Sequence, residues 1–135
     1  MFRKTHFTRV LILTAAATAS TPAMAAYTVQ PYQAGDITYV TGGIGDEERD
    51  AIKAVKKDYN FSVISAGKGG AYEGDTQLVI RDRAGKELLN TPAGPLFYAQ
   101  LPPGHYTVEA QSEGKSRTQN ITVAQGKPTH LHFSW

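Results

Sequence analysis

The chain has 135 residues, with 14 lysines and arginines against 12 aspartates and glutamates, 41% hydrophobic residues and no cysteine. The lack of cysteine excludes a disulfide framework, thiol chemistry and a lipid-modified N-terminal cysteine. The formal charge of +2 rests on the first segment: setting aside Arg3, Lys4 and Arg9 leaves eleven bases against twelve acids, a balance with no basic stripe for nucleic acid.

Met1 to Arg9 holds those three bases and no acid, Val10 to Ala19 is a run of apolar and small residues, and Thr21-Pro22-Ala23-Met24-Ala25 ends in Ala-x-Ala. This pattern predicts a secretory signal peptide over residues 1–25, cut before Ala26. The apolar run falls short of the roughly 20 residues that cross a bilayer, and no second run follows, so no membrane span is expected. The remainder, about 110 residues, suits one exported domain, periplasmic or secreted, with a core that needs no metal or disulfide staple.

Gln30 to Gly35 reads as a linker, and Ile37 to Val40 as a short strand. Thr41-Gly42-Gly43-Ile44-Gly45 then sets three glycines before a helix start, a layout in which backbone amides often hold a phosphate. The first turn, Asp46-Glu47-Glu48, argues otherwise. Its carboxylates already occupy the positive end of the helix dipole, worth about 0.3–1 kcal/mol each, and the lysine and Ser/Thr spacing of a P-loop is absent. The stretch reads as a helix cap with a tight turn. The helix is expected from Asp46 to about Tyr59, with Ile52, Val55 and Tyr59 on one face beside Ala51. Glu48, Arg49, Lys53, Lys56 and Lys57 take the other face, acids first and bases last, as the dipole favours.

Beyond the helix the hydrophobic period becomes two. Strands are expected at Asn60 to Ala66, Thr76 to Asp82, a short one at Leu88-Leu89, then Leu96 to Leu101, His105 to Gln111, Arg117 to Val123 and Thr129 to Trp135. Turns fall at Lys68-Gly69-Gly70, Asp82-Arg83-Ala84-Gly85, Pro102-Pro103-Gly104, Glu113-Gly114 and Gln125-Gly126-Lys127-Pro128. Short alternating strands with turns every eight to twelve residues predict a β-sandwich. The organisation expected is a signal peptide (1–25), an N-terminal strand and helix segment (26–59) and the sandwich (60–135).

The stretch "AYEGDTQLVIRDRAGKELL", followed by "FYAQLPPGHYTVEAQSEGKSRTQNITVAQGKPTHLHFSW", resembles the carboxypeptidase regulatory-like domain, a transthyretin-like (prealbumin-like) sandwich of about seven strands. The resemblance covers roughly Asn60 to Trp135 and is strongest in "LPPGHYTVEA" and "ITVAQGKPTHLHF". With "GGIGDEER" ahead of the sandwich, the chain also resembles small exported bacterial proteins that carry this domain. Such domains serve as folding, interaction or binding modules, so the resemblance implies a scaffold and no specific activity. It places Leu101 at a strand end, Gly104 at a turn and Tyr106 in the core. A related enzyme branch, the hydroxyisourate hydrolases, ends in Tyr-Arg-Gly-Ser. This chain ends in His132-Phe133-Ser134-Trp135, so that activity is not carried over.

Histidine supplies the remaining candidate chemistry. His130 and His132, two apart on a strand, share one face while Leu131, Phe133 and Trp135 take the other. Two such imidazoles can chelate copper, nickel or zinc, with His105 as a third ligand if the fold brings it alongside. The alternative is a solvated strand face. The terminal aromatic with alternation also resembles the last strand of an outer-membrane barrel, but the strands are shorter than the roughly ten residues a barrel needs. No nucleophile elbow, Cys–His pair or paired-carboxylate signature occurs, and no catalytic residue or cofactor is expected. The sequence thus predicts an exported, non-enzymatic binding or interaction module of the cell envelope, with an unknown protein or envelope ligand as partner. A metal binder using His105, His130 and His132 is the alternative, and a small hydrolase a third class.

Overall fold

The computed structural model describes residues 28–67 and 74–135; the signal-peptide segment and the Lys68-Gly69-Gly70 turn lie outside them. In chain order its elements are β1 (Tyr32–Ala34), β2 (Ile37–Gly42), α1 (Asp46–Ala54), β3 (Phe61–Ala66), β4 (Thr76–Asp82), β5 (Glu87–Ala93), β6 (Leu96–Gln100), β7 (Gly104–Ser112), β8 (Lys115–Val123) and β9 (Thr129–Ser134). The nine strands among the described residues form two sheets, ordered β1-β2-β6-β3-β9 and β5-β4-β7-β8. Neighbours pair antiparallel except β3 and β9, which run parallel. The protein is mainly β, a sandwich whose two inner faces share one core.

Alternation explains which side chains fill that core. On β7, Tyr106, Val108 and Ala110 point inward; on β9, Leu131 and Phe133 do the same; Leu78 and Ile80 of β4 meet Phe61, Val63 and Phe97 from the facing sheet. Tyr106 is held there by a bond from its hydroxyl to the Pro102 carbonyl, 2.5 Å away. Asn60 ties the start of β3 to the end of β6: its amide donates to the Leu101 carbonyl at 2.7 Å and its carbonyl accepts from the Leu101 N–H at 2.8 Å.

β3 departs from one-sided alternation, because both of its faces are covered. Phe61 and Val63 enter the main core, while Ile64 on the reverse face joins a second cluster built on Val40, Leu96, Tyr98 and Ile52 of α1. The helix therefore lies on the outer face of the five-stranded sheet, and β3 is sandwiched between two apolar layers. The helix is shorter than its periodicity suggests. It ends at Ala54, and Lys56–Asp58 forms a single 3-10 turn. Val55 leaves helical geometry (φ −96°, ψ 0°) with its N–H bonded to Ile52, three residues back. Tyr59 is already extended (φ −125°, ψ 146°), as it must be to lead into β3, and Val55 and Tyr59 still reach the second cluster.

Three other differences from the sequence reading concern strands. The Gln30–Gly35 stretch is not a linker throughout, since Tyr32–Ala34 pairs with β2. β5 runs on from Leu88-Leu89 to Ala93 because Thr91, Pro92 and Ala93 continue the ladder with β4. Residues before 60 also contribute two strands, β1 and β2, to the five-stranded sheet itself. Among the described residues, no helix is long and apolar enough to cross a membrane.

Candidate functional site

The glycine-rich stretch before α1 is a packing device. Gly42 has a positive φ of 146°, and a Cβ there would sit 1.8 Å from Glu48 Oε1 and 2.9 Å from Ile52 Cδ1. A Cβ on Gly94 would lie 2.7 Å from the Gly42 Cα, backbone against backbone. Only glycine at both positions lets the β5–β6 loop, the end of β2 and the helix approach so closely. The loop's own groups are also spoken for. Glu48 turns back to accept from the Gly43 N–H at 2.9 Å, and Arg49 donates to the carbonyls of Gly43 (3.2 Å) and Ile44 (3.3 Å) and to Asp46 (2.9 Å). A carboxylate thus occupies the Gly43 amide, one of those that a phosphate at this helix start would use. The only ionic member of this set, Arg49 with a 93%-exposed Asp46, adds little.

The structure separates the three candidate histidines. His130 and His132 stand exposed on the outer face of β9, opposite the buried Leu131 and Phe133. His105 is on β7 in the other sheet, exposed on the face opposite Tyr106, with Thr122 Oγ1 3.0 Å from its Nδ1. It cannot be a third ligand, because the whole sandwich lies between it and the pair. Sequence alternation assigned each histidine's face correctly but could not say which sheet each strand joins. Among the described residues no group of three or more His, Cys, Asp or Glu side chains is placed to hold a metal. Each histidine of the pair has a serine on Nδ1: Ser62 Oγ at 2.5 Å from His130, and Ser134 Oγ at 3.3 Å from His132. Ser62 is 4% exposed, and the parallel register sets it directly beside His130.

The free edge of β9 is closed by side chains of β8. Arg117 Nε donates to the Ser134 carbonyl at 3.3 Å and Gln119 Nε2 to the His132 carbonyl at 3.2 Å. Such capping removes acceptors that a foreign strand would use. On the opposite side of the sandwich β5 carries Pro92, which cannot donate to a ladder, and β4 has a register shift at Ile80/Arg81, both features that discourage edge pairing.

β1 is different. It is the outermost strand of its sheet among the described residues, and Tyr32 on it is 54% exposed. The ring stacks on Tyr39 (centroids 5.4 Å apart, 25° between planes), which stacks in turn on Phe97 with the same separation and angle. Phe97 meets Phe61 edge-on at 6.4 Å. A file of rings thus runs from the centre of the core to solvent, and the Tyr39 hydroxyl reaches Thr91 Oγ1 across the sandwich at 3.4 Å. Sequence reasoning missed Tyr32 because it lay in the supposed linker. The available signal was Gly35-Asp36 between Ala34 and Ile37, a two-residue hairpin connection with the positive φ (55°) at Gly35 that such a turn requires.

Near the β7–β8 turn a shallow cleft of about 470 Å³ is bordered by Gln77, Pro92, Gln111 and Ser116. Thr76 and Ser112 also border it, and their buried hydroxyls have no hydrogen-bond partner. Both share the core face of their strands with Leu78 and Ala110, so the accessible wall is the amide and hydroxyl surface of the outer face together with the exposed Asp75, Glu113 and Lys115. Compared with known proteins, the sequence matches no family model and no curated relative.

Proposed function

We propose that this protein is an exported, non-enzymatic binding or interaction module of the cell envelope, built on a carboxypeptidase regulatory-like, transthyretin-like scaffold. The observation that supports a binding role is the aromatic file ending at Tyr32. An exposed tyrosine fixed from beneath by buried rings presents apolar area with a polar tip at small entropic cost, the property that enriches tyrosine at the energetic centres of interfaces. It stands on β1, one of the four edge strands of the two sheets among the described residues, whereas β9 is capped and β5 carries a proline. Edge backbone groups plus one anchoring ring suit recognition of an extended segment of a protein partner. The glycine loop supports the same reading from the other side, since its groups serve packing rather than a nucleotide.

The test is capture of envelope proteins on immobilised purified protein, comparing wild type with Tyr32→Ser. A partner retained by the wild type and lost from a Tyr32→Ser variant of unchanged melting temperature supports the module. Equal retention by both removes Tyr32 from the reading, and turnover of an ester or amide panel by the wild type would favour a hydrolase instead. Export itself predicts a secreted product beginning at Ala26, readable by intact mass.

A further inference from the structure

The last strand carries chemistry that the binding-module reading leaves unused. Residues two apart on a strand stand on one face roughly 7 Å apart, close enough for the imidazoles of His130 and His132 to lean onto one ion with metal–nitrogen bonds of about 2.0–2.1 Å. Both are exposed on the outer face of β9, so an ion reaches them without any change of fold.

The serines add a second, independent feature. Ser62 is buried, and its Oγ lies 2.5 Å from His130 Nδ1, reaching it from the neighbouring strand. With Nδ1–H donating to the serine oxygen, the His130 lone pair is left on Nε2, the outward nitrogen. A partner on the far nitrogen holds the orientation of metal-binding histidines, and the serine oxygen accepts in the tautomer that leaves Nε2 free for the ion. His132 has the weaker version, Ser134 Oγ at 3.3 Å, and loses little by turning toward its neighbour. The pair is thus one held imidazole and one free to close on the ion.

We propose that His130 and His132 form a two-nitrogen chelate for a late divalent transition metal, copper(II) foremost, with Ser62 as the positioning residue of His130. Two neutral imidazoles without a carboxylate disfavour calcium and magnesium, which take oxygen ligands, and stability at nitrogen donors rises through nickel to copper. Only two ligands come from the protein, so water fills the other positions and the ion is held exchangeably.

Copper(II) chloride titrated calorimetrically into the purified protein, with electron paramagnetic resonance of the equimolar sample, tests this. The expected result is one site per chain with hyperfine splitting from two imidazole nitrogens. His132→Gln, an exposed change that leaves the Ser62–His130 bond in place, removes the site's copper signature without moving the melting temperature. Ser62→Ala keeps both ligands and weakens binding about ten-fold, and His105→Gln, on the opposite face, changes nothing. Copper affinity that persists in a His130→Gln/His132→Gln double variant, or a spectrum with a single nitrogen, overturns the proposal.

Discussion

Replacing Ile52 by alanine tests how the helix is held on the sheet. Ile52 is the one buried residue of α1, and it is 1% exposed among Val40, Leu96 and Tyr98. The change deletes both γ carbons and the δ carbon. At about 0.8 kcal/mol per buried carbon the transfer loss is about 2.4 kcal/mol. The cavity left between helix and sheet adds to this, giving a total of about 3–4 kcal/mol, within the range for Ile→Ala in cores. Because Ile52 Cδ1 lies only 2.9 Å from where a Gly42 Cβ would fall, partial collapse of α1 toward β2 keeps the figure from the upper end. Urea unfolding read from the single tryptophan suits the measurement, since Trp135 stacks on the buried Phe133 at 6.5 Å and its emission reports the core rather than the helix. A midpoint shift with an unchanged denaturant slope is expected. A loss below about 1 kcal/mol would refute the reasoning, because it would mean that the helix does not depend on this contact.

Gly94→Ala should cost about 1–3 kcal/mol by pushing the Gly42 backbone away, and thermal melts that show no loss would deny the close approach of the two loops. Val108→Ala or Leu131→Ala should cost about 2–4 kcal/mol and Thr107→Ala under about 1 kcal/mol, so similar losses in denaturation would contradict the facing assigned to β7. Tyr106 titrates above its ordinary value of 10.0, first through burial and then through the nearby Asp82 carboxylate. A raised folded pKa means that its contribution is complete below pH 10.0 and lost as pH climbs through the folded value. The melting temperature should therefore fall in that alkaline window less steeply in Tyr106→Phe than in wild type, and parallel curves would show that Tyr106 is not responsible.

Much of the sandwich was legible because its strands alternate. Tyr106, Val108 and Ala110, or Leu131 and Phe133, each declare an inner face by period two, and the Pro102-Pro103 corner declares where β6 must stop. Pairing was not legible. Nothing local marks Thr129–Ser134 as the parallel neighbour of Phe61–Ala66, yet that register is what sets Ser62 beside His130, just as the pairing of β7 with β4 and β8 puts His105 on the other sheet. Ser62 alternates with Phe61 and Val63 and so lies on the face turned away from the main core. It is buried because β3 lies inside its sheet with an apolar layer on each side, a consequence of topology rather than of local composition. The helix end escaped for a related reason: periodicity carries Ile52, Val55 and Tyr59 equally well on an α-helix or on a helix that tightens and then extends, and only the path into β3 decides. Tyr32 was hidden by the brevity of β1, three residues that no periodicity can mark.

Site-specific photocrosslinking in the living cell tests the central claim most directly, with p-benzoylphenylalanine placed at position 32 and, as a control, at position 118 on the exposed face of β8. If the protein is a binding module that presents its β1 edge, irradiation should give a discrete adduct from position 32 that is absent from position 118. No adduct from position 32, or the same adducts from both positions, would contradict it.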